Sequence, residues 1–307
     1  MTRHTGTTSG PGGAHAPRRP PGLTVLSSMA GSGKSMLARS FAVMRQHYGL
    51  PTRMYKPVAV TLTSTWTTRG EVDTSMMLAA LASGVDDVAQ VLSFRYRAGQ
   101  LEELESGRSW PADLVSEDGV DFSALEPDAL RCIRAACARQ TADGAFLICE
   151  GAGAIGDLPE EWDLSNSALA LAADRPVLFT VSARRGAALT SLVGNRQLMS
   201  RQLGALVAGF VLNNLATEAA GRRLAERIEQ ATGWPCLGVI PRIPLYDHLP
   251  DRGTDTANAA SWQEELDIVA EFIRDHMTPP LRDLIGVADP APDGSPGART
   301  RDPSTVQ

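Results

Sequence analysis

A short loop rich in glycine and serine separates an apolar run from a helical pattern near the start of the chain. The apolar run is Leu23-Thr24-Val25-Leu26, and the helical pattern begins at Met36. The loop between them, residues 27–35, reads SSMAGSGKS and departs from the pattern G-x-x-x-x-G-K-[ST] by having Ser28 at the first glycine. Serine is small enough for a tight loop when its φ is negative. The strand–loop–helix order predicts a cradle for phosphate groups, and a merely structural turn is the alternative.

Each part of this loop has a distinct predicted task. Backbone N–H groups and the helix N-terminus receive phosphate oxygens, Lys34 reaches the outer phosphates, and the Ser35 hydroxyl ligates a metal. We therefore predict ATP and Mg²⁺ as cofactors and Lys34 as a catalytic residue. The loop residues predicted to bind the nucleotide are Ala30, Gly31, Ser32, Gly33, Lys34, Ser35 and Met36.

Composition narrows the class of protein. The chain has 307 residues, a formal net charge of -6 and a pI near 5.4, which predict that no nucleic acid is a partner. No apolar run approaches the roughly 18 residues that span a bilayer, so we expect no membrane partner. The four cysteines lack the spacing of metal ligands and predict a reduced, cytoplasmic setting.

Apolar strand-like runs alternate with helical patterns along the centre of the chain. The predicted strands are Leu23–Ser27, Thr52–Lys56, Ala145–Cys149, Val177–Val181, Val207–Leu212 and Cys236–Ile240. The predicted helices are Met36–His47, Ser75–Ala82, Pro127–Gln140, Ser167–Ala172, Ala219–Thr232 and Trp262–His276. This alternation predicts an α/β fold of the P-loop NTPase type, with a doubly wound, mainly parallel sheet and helices on both faces. The ligand site is then expected beyond the carboxyl ends of the strands.

Both ends of the chain differ in composition from its centre. Residues 1–21 are rich in Gly, Pro, Thr and Arg and predict a disordered tail, with a transit peptide as the alternative. Residues 279–307 are expected to be a largely disordered tail, which leaves one ordered domain over residues 22–278. Within it, Val91–Ser123 is irregular and acidic and is interpreted as a lid or an interaction loop, and Thr61–Thr68 as a Thr/Ser-rich loop.

Five motifs in a fixed order carry a resemblance to a known family. They are residues 25–35, Met54–Val58, Cys149–Gly153, Gly209–Asn213 and Leu237–Pro241. Their order resembles the dethiobiotin synthetase and cobyric acid synthase superfamily of P-loop ATP-dependent ligases, over roughly Leu23 to Pro244. The resemblance implies that the ordered domain is a P-loop ligase domain. It also implies a homodimer with its site at the subunit interface, as in dethiobiotin synthetase.

Two branches of the superfamily compete. The stretch Tyr55–Ala59 resembles dethiobiotin synthetase, which uses ATP and carbon dioxide to close a cyclic urea on a diamine. Three other stretches resemble the synthetase part of cobyric acid synthase, namely Gly70–Val72, Asp163–Leu169 and Arg185–Leu192. That enzyme amidates corrin carboxylates. It normally carries a fused glutaminase, which these 307 residues do not include. Ser182 and Arg184 stand where the corrin enzymes carry aspartates, so we expect a divergent substrate.

Both branches imply the same chemistry at the phosphates. A carboxylate or carbamate oxygen attacks the γ-phosphate, and an amine or ammonia captures the anhydride. Such a reaction needs cations and a metal more than a side-chain nucleophile. Ser35, Asp73 and Glu150 are expected to ligate Mg²⁺, with Glu71 as the alternative to Asp73. Lys56, at the end of the second strand, is expected to be a second catalytic cation, the alternative being an ordinary lysine at a strand end.

The remaining predicted site residues lie after other strands. Gly151, Ala152 and Gly153 follow the strand that ends at Cys149 and are expected to let the backbone approach the substrate. Arg185 is expected to bind an anionic substrate, although Arg184 and Arg185 equally suit solvated salt bridges. By the resemblance, Asn213 binds the adenine edge; capping a turn is the alternative.

These residues predict a ligase that acts on a small-molecule carboxylate or amine. It would form a carbon–nitrogen bond through an acyl or carbamoyl phosphate. A partner-switching P-loop ATPase is the first alternative, although such ATPases usually carry a further lysine at the start of the loop, where this chain has Ser27-Ser28-Met29. A small-molecule kinase is the second alternative, and it would release a stable phosphorylated product.

Overall fold

The computed structural model describes residues 19–60, 64–67, 70–85, 90–97, 100–111, 115–116, 119–120, 126–156, 159–160, 163–184, 186–243 and 259–287. Residues 1–18 of the tail predicted for residues 1–21, and residues 288–307 of the tail predicted for residues 279–307, lie outside this part of the chain. None of the helices described in these ranges is long and apolar enough to cross a membrane.

A nine-stranded sheet runs through the described part of the chain. Six parallel strands form most of it, in the spatial order β13 (Cys236–Pro241), β12 (Val207–Leu215), β11 (Val177–Ser182), β1 (Gly22–Ser27), β10 (Phe146–Glu150) and β2 (Thr52–Val60). Strand β5 (Leu92–Arg97) joins β2 in parallel, and β6 (Gln100–Glu103) and β7 (Ser109–Pro111) extend this edge antiparallel. Two separate hairpins are formed by β3 (Ser64–Thr67) with β4 (Gly70–Asp73) and by β8 (Val115–Ser116) with β9 (Gly119–Val120).

Helices cover both faces of the sheet. One face carries α1 (Lys34–His47), α2 (Thr74–Ser83), α8 (Ala259–Asp275) and α9 (Pro279–Ile285). The other carries α3 (Glu126–Gln140), α4 (Ser167–Ala173), α5 (Ala188–Leu198), α6 (Arg201–Gly204) and α7 (Glu218–Thr232). Every residue of β1 and β11 is buried, as expected for parallel strands that are covered on both faces. The predicted α/β fold class is therefore confirmed.

The sequence-based interpretation was wrong for two segments that come after β2 in the chain. Val91–Ser123, interpreted as irregular, contains the strands β5 to β9 among its described residues. These strands are short and carry charged side chains, as strands outside the central core do, so they lack the continuous apolar runs that identified the parallel strands. Residues 64–67 of the predicted Thr/Ser-rich loop form β3.

The packed part of the chain extends beyond the predicted domain end at residue 278. Helix α9 begins with Pro279 and Pro280, which suit the first turn of a helix because no backbone N–H is needed there. Its Leu281 and Ile285 are fully buried in the same core as α1 and α8. The predicted C-terminal tail therefore begins with a helix that belongs to the fold. This helix has only seven residues, which is too short for a clear apolar pattern in the sequence.

Candidate nucleotide-binding and active site

The phosphate-loop residues lie between the end of β1 and the start of α1, at the carboxyl edge of the sheet. Gly31 and Gly33 have φ values of 72° and 95°, which side chains rarely adopt. A Cβ on Gly33 would also lie 2.3 Å from Nδ2 of Asn213, so glycine is required there for two reasons. Ala30 and Gly31 are exposed, whereas Ser32 is buried and its hydroxyl donates to the carbonyl oxygen of Met29 at 2.7 Å. The exposed tip of the loop is thus free to receive a ligand.

Lys34 connects the phosphate loop to the loop that follows β10. Its Nζ donates to Ser27 Oγ at 2.9 Å and to the carbonyl oxygen of Gly153 at 2.6 Å. The side chain is only 8% exposed. The Lys34 ammonium therefore lies inside the site and donates hydrogen bonds to protein oxygens. Phosphate oxygens of a bound nucleotide would replace Ser27 Oγ and the carbonyl oxygen of Gly153 as its acceptors.

Glu150 ends β10 and is the centre of the charged part of the site. Its Oε1 accepts from Ser35 Oγ at 2.5 Å and from Lys56 Nζ at 3.1 Å, although the carboxylate is buried with 1% of its surface exposed. Burial by itself raises the pKa of Glu150, but Lys56 and the Ser35 hydroxyl lower it. The charges of Arg39 and Lys34 act in the same direction, and the pKa lies below its ordinary value. Glu150 is therefore ionised at neutral pH and able to ligate a cation.

The chain has two lysines, and the structure places both of them around this carboxylate. Lys34 and Lys56 are the lysines in the sequence, while the other side chains with a permanent positive charge are arginines. Lysine presents a compact point charge, whereas arginine presents a planar fork that suits bidentate partners. A chain that uses arginine elsewhere thus has lysine at the two positions predicted to contact phosphate oxygens. This contrast is a sequence signal that motif reading alone overlooked.

Asn213 lies beneath the phosphate loop. It is inside β12 rather than after it, and its Nδ2 donates to the carbonyl oxygen of Ser32 at 3.0 Å. Thr180 donates its hydroxyl to the same oxygen at 3.1 Å. Both side chains are buried, so they hold the loop from below. The adenine-binding role of Asn213 stays a prediction.

The loop after β10 is held by a polar cluster that includes Asp163 and Asn166. Asn166 Nδ2 donates to the carbonyl oxygen of Ala152 at 2.8 Å and to Asp163 Oδ1 at 3.0 Å. A Cβ on Gly151 would lie 2.2 Å from Asn166 Oδ1, which explains the glycine at that position. Ser165 Oγ and the backbone N–H of Asn166 also donate to Asp163. Burial raises the pKa of Asp163 to about 6, against the opposing hydrogen bonds from Asn166 and Ser165.

Some predicted residues are not placed in the site, and two others were missed. Arg185 lies outside the described residues, as do the side chains of Asp73 and Glu71, so their roles stay predictions. The two residues that the sequence analysis missed are Asn166 and Arg39, which lie in the region of the site. Arg39 follows Ser35 by one helical turn, and its buried Nε has no hydrogen-bond partner in the described part of the chain. Arg39 could have been predicted from the sequence, because residues four apart on a helix lie on the same face and Ser35 is a predicted site residue.

Comparisons with known proteins show which family the sequence resembles. A family model described as an AAA domain, which represents the dethiobiotin synthetase-like P-loop family, matches residues 121–248. Cobyric acid synthase of Jannaschia sp. (strain CCS1) is 27% identical over 237 residues, which are 74% of this chain and 48% of that protein. Cobyric acid synthase of Rhodobacter capsulatus is 27% identical over 238 residues, with the same coverage. The chain therefore spans about half the length of the curated relatives it matches.

A comparison of structures adds a distant neighbour. The MinD cell division protein of Aquifex aeolicus aligns with 84% of this chain and 99% of its own, with a TM-score of 0.45 and 13% identity. A likeness at this level carries no functional inference. The sequence similarities, by contrast, confirm the predicted resemblance to the superfamily.

Proposed function

Because the chain is related by sequence to the dethiobiotin synthetase and cobyric acid synthase superfamily, we propose that it is an ATP- and Mg²⁺-dependent ligase. It would activate a carboxylate or carbamate of a small molecule and join it to nitrogen. The observation that carries this proposal is the grouping of Lys34, Lys56 and Ser35 around the ionised Glu150. A cytoplasmic location and a homodimer accompany the proposal as its untested parts.

The charge balance of the described site favours two anionic reactants. Lys34, Lys56 and Arg39 bring three positive charges near one carboxylate, Glu150. A nucleotide triphosphate and a substrate carboxylate would offset this excess. Phosphoryl transfer depends mainly on positioning and on neutralising charge, which fixed cations in a water-poor site perform well.

The proposed reaction has two steps. A carboxylate oxygen forms a bond to the γ-phosphorus while the bond from phosphorus to the bridging oxygen breaks and ADP leaves. An amine or ammonia nitrogen then attacks the acyl carbon and loses a proton, and inorganic phosphate leaves. Lys34 would stabilise the charge on the transferred group, and Lys56 would orient the substrate carboxylate beside it.

The donor set fits magnesium. Ser35 Oγ and Glu150 Oε1 are hard oxygen ligands that are already adjacent, and Mg²⁺ prefers such ligands together with phosphate oxygens and water. In the described residues no group of three His, Cys, Asp or Glu side chains forms a separate metal centre. Bound between these oxygens, the metal would neutralise negative charge on the phosphates.

The test combines turnover with a direct view of the two lysines. Phosphate release from Mg²⁺-ATP would be measured with diaminononanoate plus bicarbonate, and with corrin carboxylates plus ammonia. In parallel, ¹³Cε-lysine labelling yields two lysine signals in a spectrum, one for Lys34 and one for Lys56. Both signals should shift on addition of nucleotide, and Lys56 should shift further when the true carboxylate is added.

Variants separate the proposal from its alternatives. Lys34→Ala should lower substrate-dependent turnover by about 10²- to 10³-fold, the usual effect of removing one charge-stabilising donor. Arg222→Ala, on the exposed face of α7, should have full activity. Turnover indifferent to every small molecule would favour a partner-switching ATPase, and a stable phosphorylated product would favour a kinase. Full activity of Lys34→Ala would contradict the site itself.

A further inference from the structure

A cavity lies beside the loop that follows β10. It has a volume of about 290 Å³ and apolar walls from Ile155, Pro159, Leu198 and Met199. This volume is at the lower limit of small-molecule sites, so it suits one arm of a ligand better than a whole ligand. Leu198 is 72% exposed, which is unusual for a leucine and leaves an apolar rim at the mouth.

Asn195 carries an unused hydrogen-bond donor beside the cavity, and this Nδ2 atom is itself closed to solvent in the side-chain position of the structure. The residue lines the cavity from α5 and is 7% exposed, and its Nδ2 has no hydrogen-bond partner in the described part of the chain. Its Oδ1 packs against Gly156, where a Cβ would lie only 2.8 Å away. A buried donor without a partner lowers stability, and a hydrogen bond to a ligand oxygen would remove that cost.

The charges around the cavity select the kind of acceptor. Glu160 is the charged side chain among the lining residues, and its Oε2 accepts from the backbone N–H of Ser200 at 2.8 Å. No basic side chain lines the cavity among the described residues. An anionic group would therefore be repelled, whereas the oxygen of a neutral carbonyl would be a suitable acceptor for Asn195.

The cavity lies close to the charged site along the chain. The backbone N–H of Ile155 donates to the carbonyl oxygen of Ser27 at 3.0 Å, and the hydroxyl of Ser27 accepts from Lys34. The three steps of chain from Gly153, whose carbonyl binds Lys34, to Gly156 span at most about 11 Å. One extended molecule can thus reach both places.

We propose that this cavity holds a neutral, carbonyl-bearing aliphatic arm of the carboxylate substrate, and that the Asn195 side chain turns so that its Nδ2 donates to the carbonyl oxygen. The inference rests on the proposed function for the identity of the reacting end. The arm itself is tested without any turnover.

The test uses 4-methylpentanamide as the probe and the full chain labelled with ¹⁵N in its asparagine side chains. The chain has five asparagines, so the spectrum is simple, and Asn195→Leu identifies the signal of Asn195. The probe should shift that signal saturably, while 4-methylpentanoate, which differs by its negative charge, should bind at least tenfold more weakly. Affinities measured by ligand-observed spectra should fall at least tenfold in Asn195→Leu.

Two controls keep the outcome clear. Gln197→Leu removes an amide from the exposed side of the same helix and should bind the probe as the parent chain does. Leu198→Ala changes an exposed side chain, so it will fold, and it should weaken probe binding about threefold through the lost apolar wall. An unmoved Asn195 signal, or equal affinity in Asn195→Leu, would overturn the proposal.

The two proposals fail separately. Probe binding is measured on the parent chain without nucleotide, so its outcome does not depend on phosphate binding or turnover. If the probe binds Asn195 but no carboxylate supports turnover, a ligand cavity is present and its assignment to a ligase substrate is wrong. If turnover is found with a substrate that lacks a neutral carbonyl arm, the arm assignment is wrong and the ligase proposal is unaffected.

Discussion

Glu150 and Asp163 are both buried carboxylates, each 1% exposed, and they lie on either side of the same loop. Positive side chains surround Glu150, and its pKa lies below the ordinary value despite burial. Neutral donors from Asn166 and Ser165 surround Asp163, and burial raises its pKa to about 6. Hydrogen bonds alone do not offset desolvation here, whereas a nearby ammonium does.

The difference corresponds to two separate tasks. A carboxylate that faces cations is ready to exchange one of them for a metal, which is what a site for phosphate chemistry requires. A carboxylate held by amide and hydroxyl donors fixes the backbone instead, and Asp163 does so through Asn166, which in turn binds the carbonyl oxygen of Ala152. We therefore propose a binding role for Glu150 and a positioning role for Asp163.

Removing the charge of Glu150 should have the largest effect on folding. Glu150→Gln leaves Lys56 and Lys34 without their buried counter-charge, and such a loss costs about 3–5 kcal/mol in the free energy of unfolding. Urea unfolding without nucleotide measures this change. Glu226→Gln, on the exposed face of α7, should stay within about 0.5 kcal/mol of the parent chain. A cost below 1 kcal/mol for Glu150→Gln would show that the lysines are stabilised by other groups.

The pH dependence of stability should have opposite signs at the two carboxylates. Because the folded-state pKa of Asp163 is raised from 3.8 to about 6, the folded state binds more protons than the unfolded state between these values. The free energy of unfolding therefore falls as pH rises through this window, by about 3 kcal/mol at 1.36 kcal/mol per pKa unit. Glu150, with a lowered pKa, contributes stability that is lost as pH falls below about 4.5.

Urea unfolding between pH 4 and 7 tests this prediction with the variant Asp163→Asn. The difference in stability between the parent chain and the variant should change by about 3 kcal/mol over this range, in the direction of a less stable parent chain at high pH. Parallel pH profiles for the two chains would show that Asp163 titrates normally. Glu150→Gln serves as the comparison, since its profile should differ from that of the parent chain chiefly at the acid end.

Asn166 connects the two regions, and its loss should have an intermediate effect. Asn166→Ala removes the donor to Ala152 and one donor to Asp163, which should cost about 2 kcal/mol in stability. Substrate-dependent turnover should also fall, because the loop that ends at Gly153 is no longer held against Lys34. Equal turnover in the variant would separate the two regions and contradict the positioning role.

The sequence predicted the charged region better than the region that positions the loop. Lys34 follows β1 and Glu150 ends β10, and the carboxyl ends of parallel strands meet at one edge, so their proximity followed from the order of elements. The predicted strand end at Lys56 was wrong, because β2 continues to Val60, but Lys56 lies level with the end of β10 and so still reaches Glu150. Asp163 and Asn166 follow no strand. Their contacts join two irregular segments, and no periodic pattern in the sequence predicts such contacts. The sequence analysis used the stretch Asp163–Leu169 only as part of the resemblance to cobyric acid synthase.

The same reasoning explains the other differences. The strands β5 to β7 extend the sheet edge, where side chains are less buried and the apolar runs that identify central strands are absent. Asn195 is a polar residue inside a helix, a pattern that indicates a solvent-facing position, and only packing against Gly156 shows that it is buried. Burial of single polar residues depends on tertiary contacts rather than on local sequence.

The smallest predicted effect tests how the Asp163 cluster shares its donors. Ser165 Oγ lies 3.1 Å from Asp163 Oδ1 and 3.3 Å from the carbonyl oxygen of Ala152, but its single proton serves one of them at a time. Ser165→Ala should therefore cost only about 1 kcal/mol in the free energy of unfolding and change turnover less than Asn166→Ala does. The apparent pKa of Asp163, read from the pH profile of stability, should rise slightly because one donor to its carboxylate is lost. A cost as large as that of Asn166→Ala would mean that the hydroxyl, rather than the amide, holds the loop.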